Sequence, residues 1–475
     1  MADYSYERLS SESASFLERE TPRLFAHTGF VLVFEPGPLA RTNEGVDFAR
    51  IRRAIESRLH RAPRFRQKLA WIPLEEHPVW VDDRDFRLDY HLRHTSLPRP
   101  GTYEQLENAA ARILAQRLDR SRPPWECWVL EGLEGGRFAI LLKVHLCMVD
   151  DSSGADLLQV ILTDDPKEAD PTPLPFVPRP RPSARELWLD EIVRQARLPR
   201  RYLERLGELL QNPERLDWEV RSAARGLAAF LGYTIRRPVE APFNGRIGPH
   251  RHFATLSTSL VEAREVAREL CGTVHDVVLA TVAAGLRSFL ASRLVSPAAL
   301  DVRIATPIAI DTPESTGHRS AITEWVVDLP VWERDPRVRF EMIAARTRAL
   351  AHAEGALPAR RIAGDGPWRN ARILSLGARA LASHTPVNLA VTSVPGPSGP
   401  LYFAGARLLE TYGQVPLRDG HGLGIAVLSY AGRLFWGLSG DLDLLPDLRQ
   451  LATGLSNAFL ELRDSVLAGS ACHSA

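Results

Sequence analysis

Residues 138–154 read FAILLKVHLCMVDDSSG, and the fold is read outward from them. Phe138–Val144 is apolar apart from one lysine and short enough for a buried strand. It delivers His145 and then turns through Asp150, Asp151, Ser152, Ser153 and Gly154. Helical spacing resumes over Gly154–Leu162. A strand that opens into an Asp/Ser/Gly turn is a place where polar side chains protrude into a cleft. Upstream, Trp125–Leu130 reads as a second strand, joined to the first by the glycine-bearing turn Glu131–Arg137. Further out lie a helix over Thr102–Leu118, a helix over Asp47–Arg61 and an entering strand over Phe25–Phe34.

Downstream the composition changes. Residues 164–182, DDPKEADPTPLPFVPRPRP, hold seven prolines. Proline fixes φ and lacks an amide hydrogen, so this stretch is expected to be extended and free of ladder bonds. Residues 184–237 are helical in pattern and rich in arginine. They read as a solvated helical face, or more sharply as a basic surface for anionic lipid or acyl-CoA phosphates. Alternation returns after Phe243. Strands are expected at Arg251–Leu260, Asp301–Ala309, Asn388–Val394, Leu423–Ser429 and Arg433–Leu438. Helices are expected at Val261–Leu270, Val274–Leu294 and Leu444–Leu462. The chain therefore divides into an N-terminal domain (1–163), a Pro-rich and helical crossover (164–242) and a C-terminal domain (243–475), in the α/β class.

Composition removes several alternatives. The net charge of +1 gives no field to draw the protein onto nucleic acid. The four cysteines are scattered with no CxxC pair, so no zinc or thioredoxin-type site is expected. The first twenty residues lack the apolar core of a signal peptide. No uncharged run reaches the ~18 residues of a membrane span, Val277–Leu286 being the longest apolar stretch. A cytoplasmic protein is expected, with contact to membrane or lipid-droplet surfaces left open. GxSxG, GxxxxGK[ST] and HExxH are absent. GDGPW (364–368) and RDGHGLG (418–424) lack the strand–turn–helix setting of a phosphate cradle. No metal site is expected.

The sequence resembles the bacterial wax ester synthase/acyl-CoA:diacylglycerol acyltransferases. The resemblance is carried by LSSESASFLERETP (9–22), HTG (27–29), LDRSRPPWECWVLEGL (118–133), PFNGRIGP (242–249), TVHDVVLA (273–280), VTSVPGPSGPLYFAGA (391–406) and LSYAGRLFWGLSGD (428–441). It implies two domains of the chloramphenicol acetyltransferase type, with mixed sheets flanked by helices and a tunnel between them. It also implies acyl-CoA as co-substrate, with no bound cofactor, and an alcohol or lipid as acceptor. In the family's HHxxxDG motif the second histidine is the general base that deprotonates the acceptor hydroxyl. An imidazole suits that task because its pKa lies near working pH.

Residue by residue, His145 falls on the first histidine, Leu146 on the second, Asp150 on the aspartate and Asp151 on the glycine. Leucine cannot accept a proton. His145, one residue earlier on the strand, should face away from the tunnel unless a bulge reverses it. The family's Asn-Asp pair becomes His275 and Asp276. Resemblance brings that asparagine near the catalytic centre, so His275 reads either as a replacement base or as drift in a silent site. Ser393 stands where the family has an asparagine before VPGP. Glu20 and Trp125 are retained. They read as substrate contacts or, more plainly, as a surface or capping carboxylate and a core aromatic. Two functions stay open: an O-acyltransferase with an altered site, using His145, Asp150 and His275, or an inactive relative that binds acyl-CoA, lipid or a partner.

Overall fold

The computed structural model describes residues 6–41, 45–148, 161–168, 171–194, 239–298, 300–310, 321–353 and 387–470. Its strands in chain order are β1 (Glu7–Arg8), β2 (His27–Glu35), β3 (Gln67–Trp71), β4 (Pro78–Asp82), β5 (Leu92–Ser96), β6 (Trp125–Leu133), β7 (Arg137–His145), β8 (Arg251–Ser259), β9 (Asp301–Ile310), β10 (Ala321–Pro330), β11 (Leu389–Val394), β12 (Tyr402–Phe403), β13 (Ala406–Gln414), β14 (Leu423–Tyr430) and β15 (Arg433–Asp441). The principal helices are α1 (Ser11–Glu18), α2 (Phe48–Arg58), α3 (Tyr103–Leu114), α4 (Leu260–Glu269), α5 (Val274–Ser292), α6 (Pro336–Ala353) and α7 (Leu448–Ser470).

These strands form two six-stranded mixed sheets, β12-β13-β2-β7-β6-β5 and β10-β9-β11-β14-β15-β8, and a small sheet β1-β4-β3. Each large sheet has its own apolar core. The first is built around Phe34, Phe138, Ile140 and the α2 and α3 residues Ile51, Ile55, Leu106 and Ala110. The second packs Val278, Val282 and Leu286 of α5 and Leu451 and Leu455 of α7 against Ile304, Val391 and Ile425. Helix α5 is long and apolar enough to cross a membrane, but its flanks are covered by this core. The helix–strand alternation read from the sequence recurs at nearly every position it named. The expected helix over Gly154–Leu162 and nearly all of the arginine-rich 184–237 lie outside the described residues. The described part of the Pro-rich stretch is extended, and Arg179 anchors it by a bidentate grip on Asp82.

One feature crosses the expected boundary at 243. Strands β12 and β13 belong by sequence to the C-terminal half, yet they complete the first sheet, with β13 antiparallel to β2 from Arg407↔Glu35 to Gln414↔Gly29. Chain alternation cannot reveal this, because a strand's pattern shows that it is buried and not which sheet it joins. The crossing also binds the halves. Tyr103 of α3 donates to Glu410 Oε1 at 2.6 Å, and Tyr412 to Glu410 Oε2 at 2.7 Å. Glu107 of α3 accepts from the N–H and hydroxyl of Thr255 on the outer strand β8 and from Arg449 of α7. A carboxylate thus satisfies an edge-strand donor that has no strand partner.

At its C-terminal end β13 lies directly on the second sheet. A Cβ at Gly437 would meet Gly413 O at 1.9 Å. That contact is backbone on both sides, so no side-chain rotation relieves it. Gly437→Ala is expected to lower stability by about 1–3 kcal/mol, read as a reduced urea midpoint. Gly399→Ala, where nothing lies within 4 Å of the added carbon, is expected to leave the midpoint in place.

Candidate active site

Three segments meet at the C-terminal end of β7: the strand end itself, the residues after α1 that carry Glu20, and the loop before β6 that carries Arg120. The β2–β7 ladder runs without interruption from Phe34↔Phe138 to His27↔His145. No bulge reverses the facing of His145, which stays on the same side as Lys143. There Lys143 is fully buried, with Nζ donating to Ile113 O at 3.0 Å and Gln116 O at 2.6 Å. His27 donates Nε2–H to Leu114 O at 2.7 Å. The lysine and histidine thereby bond to carbonyls at and just beyond the end of α3.

His145 is 1% exposed and both ring nitrogens are engaged. The Cys147 N–H donates to Nδ1 at 3.1 Å, which places the proton on Nε2, and Nε2–H donates to Glu20 Oε1 at 3.2 Å. Glu20 also accepts from the Ala26 N–H at 2.9 Å, and its second oxygen takes the Arg120 guanidinium, with Arg117 at 3.6 Å. Its side chain is buried, so it is not the surface carboxylate that the sequence offered as the plain reading. Burial alone would raise the Glu20 carboxyl. The hydrogen bond from His145, the charge of Arg120 and the Ala26 N–H outweigh it and hold the pKa at about 2.

A neutral imidazole has one lone pair, and in His145 a backbone amide takes it. Leu146 follows in a short 3-10 turn, its N–H bonded to Ala26 O and its side chain half-buried. His27 keeps a buried Nδ1 with no partner among the described residues. Burial, aided by the charge of Lys143, holds its pKa at about 3, which makes it a weak base at neutral pH. His275 differs. It sits in the first turn of α5, and its Nε2 is buried without a hydrogen-bond partner among the described residues. Burial lowers its pKa against an opposing pull from Asp276, so the ring is neutral at pH 7 and retains an acceptor.

The remaining candidate positions are more committed. Asp276 closes a capping box with Thr273 and accepts the Thr347 hydroxyl at 2.7 Å, which ties α5 to α6. Trp125 stacks on His91 and meets Phe65 edge-on, and its Nε1 donates to Phe65 O at 2.8 Å. Its indole is thus part of the first core. Ser393 is half-buried at the end of β11 and makes no side-chain hydrogen bond among the described residues. Asp150 lies outside the described residues. The structure therefore brings Glu20 and His145 together and places His275 and Asp276 on a separate element. Sequence reasoning missed Arg120, although it lies within LDRSRPPWE, and Thr347, for which no local motif gives a signal. Among the described residues no cluster of three metal-ligating side chains occurs.

Glu20 has a pH signature. Its folded pKa lies below the ordinary value of 4.5, so the stabilisation is complete above about pH 5 and is lost as pH falls toward about 2. Urea unfolding from pH 6 to pH 3 should show this loss, and Glu20→Gln should remove most of the slope.

Two family models cover most of the chain: the wax ester synthase/diacylglycerol acyltransferase catalytic domain over residues 9–278 and the family's C-terminal domain over 321–463. A putative diacylglycerol O-acyltransferase of Mycobacterium tuberculosis is 33% identical over 466 residues, covering 96% of this chain and 90% of its own. A probable diacylglycerol O-acyltransferase of the same species is 29% identical over 427 residues, covering 86% of each. Among solved structures, the wax ester synthase/diacylglycerol acyltransferase of Marinobacter aquaeolei VT8 superposes with a TM-score of 0.66 at 24% identity, over 97% of this chain and 99% of that one. The starter condensation domain of rhizomide synthetase shares the fold at a TM-score of 0.54 and 14% identity, over 96% and 94%. The chain belongs to the wax ester synthase/diacylglycerol acyltransferase family.

Proposed function

We propose that this protein binds acyl-CoA and an alcohol or diacylglycerol, and transfers the acyl group to the acceptor hydroxyl at a rate depressed by the missing base. In that reaction the acceptor oxygen loses its proton and forms a bond to the thioester carbonyl carbon. The C–S bond then breaks and CoA leaves as its thiol, taking up a proton. A base at position 146 would carry the proton between the two. The observation that carries this reading is the pairing of Leu146 with a His145 whose lone pair is already taken. Neither residue of the motif is left to accept a proton. General-base catalysis contributes typically ~10²–10⁴-fold, so turnover should fall short of a base-bearing relative by about that factor.

The test is a radiolabelled palmitoyl-CoA assay with hexadecanol or diacylglycerol, with binding measured separately. Leu146→His is expected to raise kcat by 10²-fold or more with KM little changed. An unchanged kcat at saturating substrate would overturn the reading. Binding with no detectable turnover in either protein would instead select the non-catalytic relative.

A second reading has its own support. His275 keeps a buried Nε2 with no hydrogen-bond partner among the described residues, so that nitrogen is not committed to the fold, although burial makes the ring a weaker base than a free imidazole. If it serves as the base, His275→Ala abolishes residual turnover and His275→Asn, which returns the family's residue, does not rescue it. Undiminished turnover in the alanine variant would exclude this role.

A further inference from the structure

Where β13 rests on the second sheet, three buried side chains keep a polar atom with no protein partner among the described residues. They are His27 Nδ1, Gln414 Oε1 and Ser439 Oγ, and none of the three residues is more than 7% exposed. Buried polar atoms are nearly always bonded, to protein or to ordered water. The strand registers bring these three together. His27 and Gly29 share one face of β2. Gln414 is the antiparallel partner of Gly29, and a Cβ added to Gly29 would stand 3.8 Å from Gln414 Cβ. Because β13 runs antiparallel to β2, the residues after Gln414 lie beside those before Gly29. The Gln414 amide turns that way, its Nε2 donating to Val415 O at 2.7 Å, and so leans toward His27. From the second sheet Gly424 faces the same place, since a Cβ there would meet Val415 Cβ at 3.0 Å and Val415 O at 3.6 Å. Ser439 is the antiparallel partner of Gly424, so its hydroxyl leaves β15 on that face.

The three atoms do not complement one another. His27 spends its ring proton on Leu114 O, and burial keeps the ring neutral at pH 7, so Nδ1 offers a lone pair. The bond from Nε2 to Val415 O fixes the orientation of the Gln414 amide, so Oε1 is an acceptor as well. Ser439 has one hydroxyl proton, which serves one of two acceptors and leaves the other bare. A water molecule supplies what is needed. It donates two protons, one to each acceptor, and accepts the serine proton in return. About three hydrogen bonds is the usual complement of a buried water.

We infer that an ordered water is bound at this point of the seam, donating to His27 Nδ1 and Gln414 Oε1 and accepting from the Ser439 hydroxyl. It joins one strand of each large sheet, β2 and β15, to the crossing strand β13 that touches both. The halves are then held by a bound ligand as well as by the direct contacts of Glu107 and Glu410. Nothing in this depends on the acyl-transfer reading, which stands or falls separately.

A crystal structure of the unaltered full chain tests the site directly. Density for a water is expected within hydrogen-bond distance, about 2.7–3.2 Å, of all three atoms. Two variants give a reading in solution. Ser439→Ala and Gln414→Leu each remove one partner, and each is expected to lower the thermal midpoint. The double variant is expected to fall by less than the sum of the two shifts, because both changes act on one water. Histidine-labelled NMR adds a measure that general loss of stability does not move. Either variant is expected to shift the ¹⁵N resonance of His27 Nδ1, although neither residue lies in the same strand. Circular dichroism checks that the variants fold, and the crystal structure of the unaltered protein decides the matter if they do not. A direct bond between Ser439 and Gln414, or a water touching fewer than all three atoms, would overturn the inference. Additive midpoint shifts, or a His27 resonance unmoved in folded variants, would do the same.

Discussion

A neutral imidazole offers one N–H and one lone pair, and at the end of β7 both are spent on holding the chain together. The Cys147 amide takes the lone pair of His145, and Glu20 takes its proton. Glu20 is in turn gripped by Arg120 and by the Ala26 amide. The N-terminal segment, the β7 terminus and the loop before β6 are thereby fixed relative to one another, and the turn starting at Leu146 leaves from a defined point. Removing a partner from such a buried ionic cluster leaves an uncompensated charge, which costs far more than the pair itself contributes. The arrangement makes His145 a positioning residue. Its retention beside an altered neighbour has a structural reason independent of catalysis.

The same economy runs through the seam between the halves. Two sheets with separate cores have little cause to stay in register unless the chain ties them. Here β13 leaves the C-terminal half, completes the first sheet and still rests its end on the second at Gly413 and Gly437. Glu410 and Glu107 add charged hydrogen bonds across that seam at two separate places. Burial raises the pKa of Glu107, while Thr255 and Arg449 oppose the rise. Any site between the halves inherits its geometry from these contacts, so a substitution at the seam can disturb binding without touching a ligand.

Much of this was legible in the sequence because it is written in local periodicity. Strands β6 to β9, β14 and β15 and helices α2 to α5 carry clear period-two or helical spacing and turn signals at their ends. The family motifs supplied the relation between distant segments, which periodicity cannot. The alternation that sets His145 on the side of Lys143 was readable, and the unbroken β2–β7 ladder preserves it. What stayed hidden depends on long-range partners. Glu20 looks like an ordinary surface carboxylate until Arg120, a hundred residues on, closes over it. The sheet to which β13 belongs is decided by Glu410 and by two glycines whose small size matters only once they meet. Thr347, which braces Asp276, lies in a helix with no motif of its own.

The separation of holding from reacting bears on how Leu146 is tolerated. A general base acts in the transition state, and its loss, about three to five kcal/mol if worth ~10²–10⁴-fold, falls on turnover and not on ground-state affinity. Chain binding draws instead on buried carbon at about 0.8 kcal/mol per methylene, and nothing in that term involves residue 146. A leucine at this position therefore removes a proton acceptor while leaving the buried network at Glu20 intact. Retention of the Glu20–Arg120–His145 cluster follows from the same logic, since the fold needs it whether or not an alcohol is deprotonated nearby.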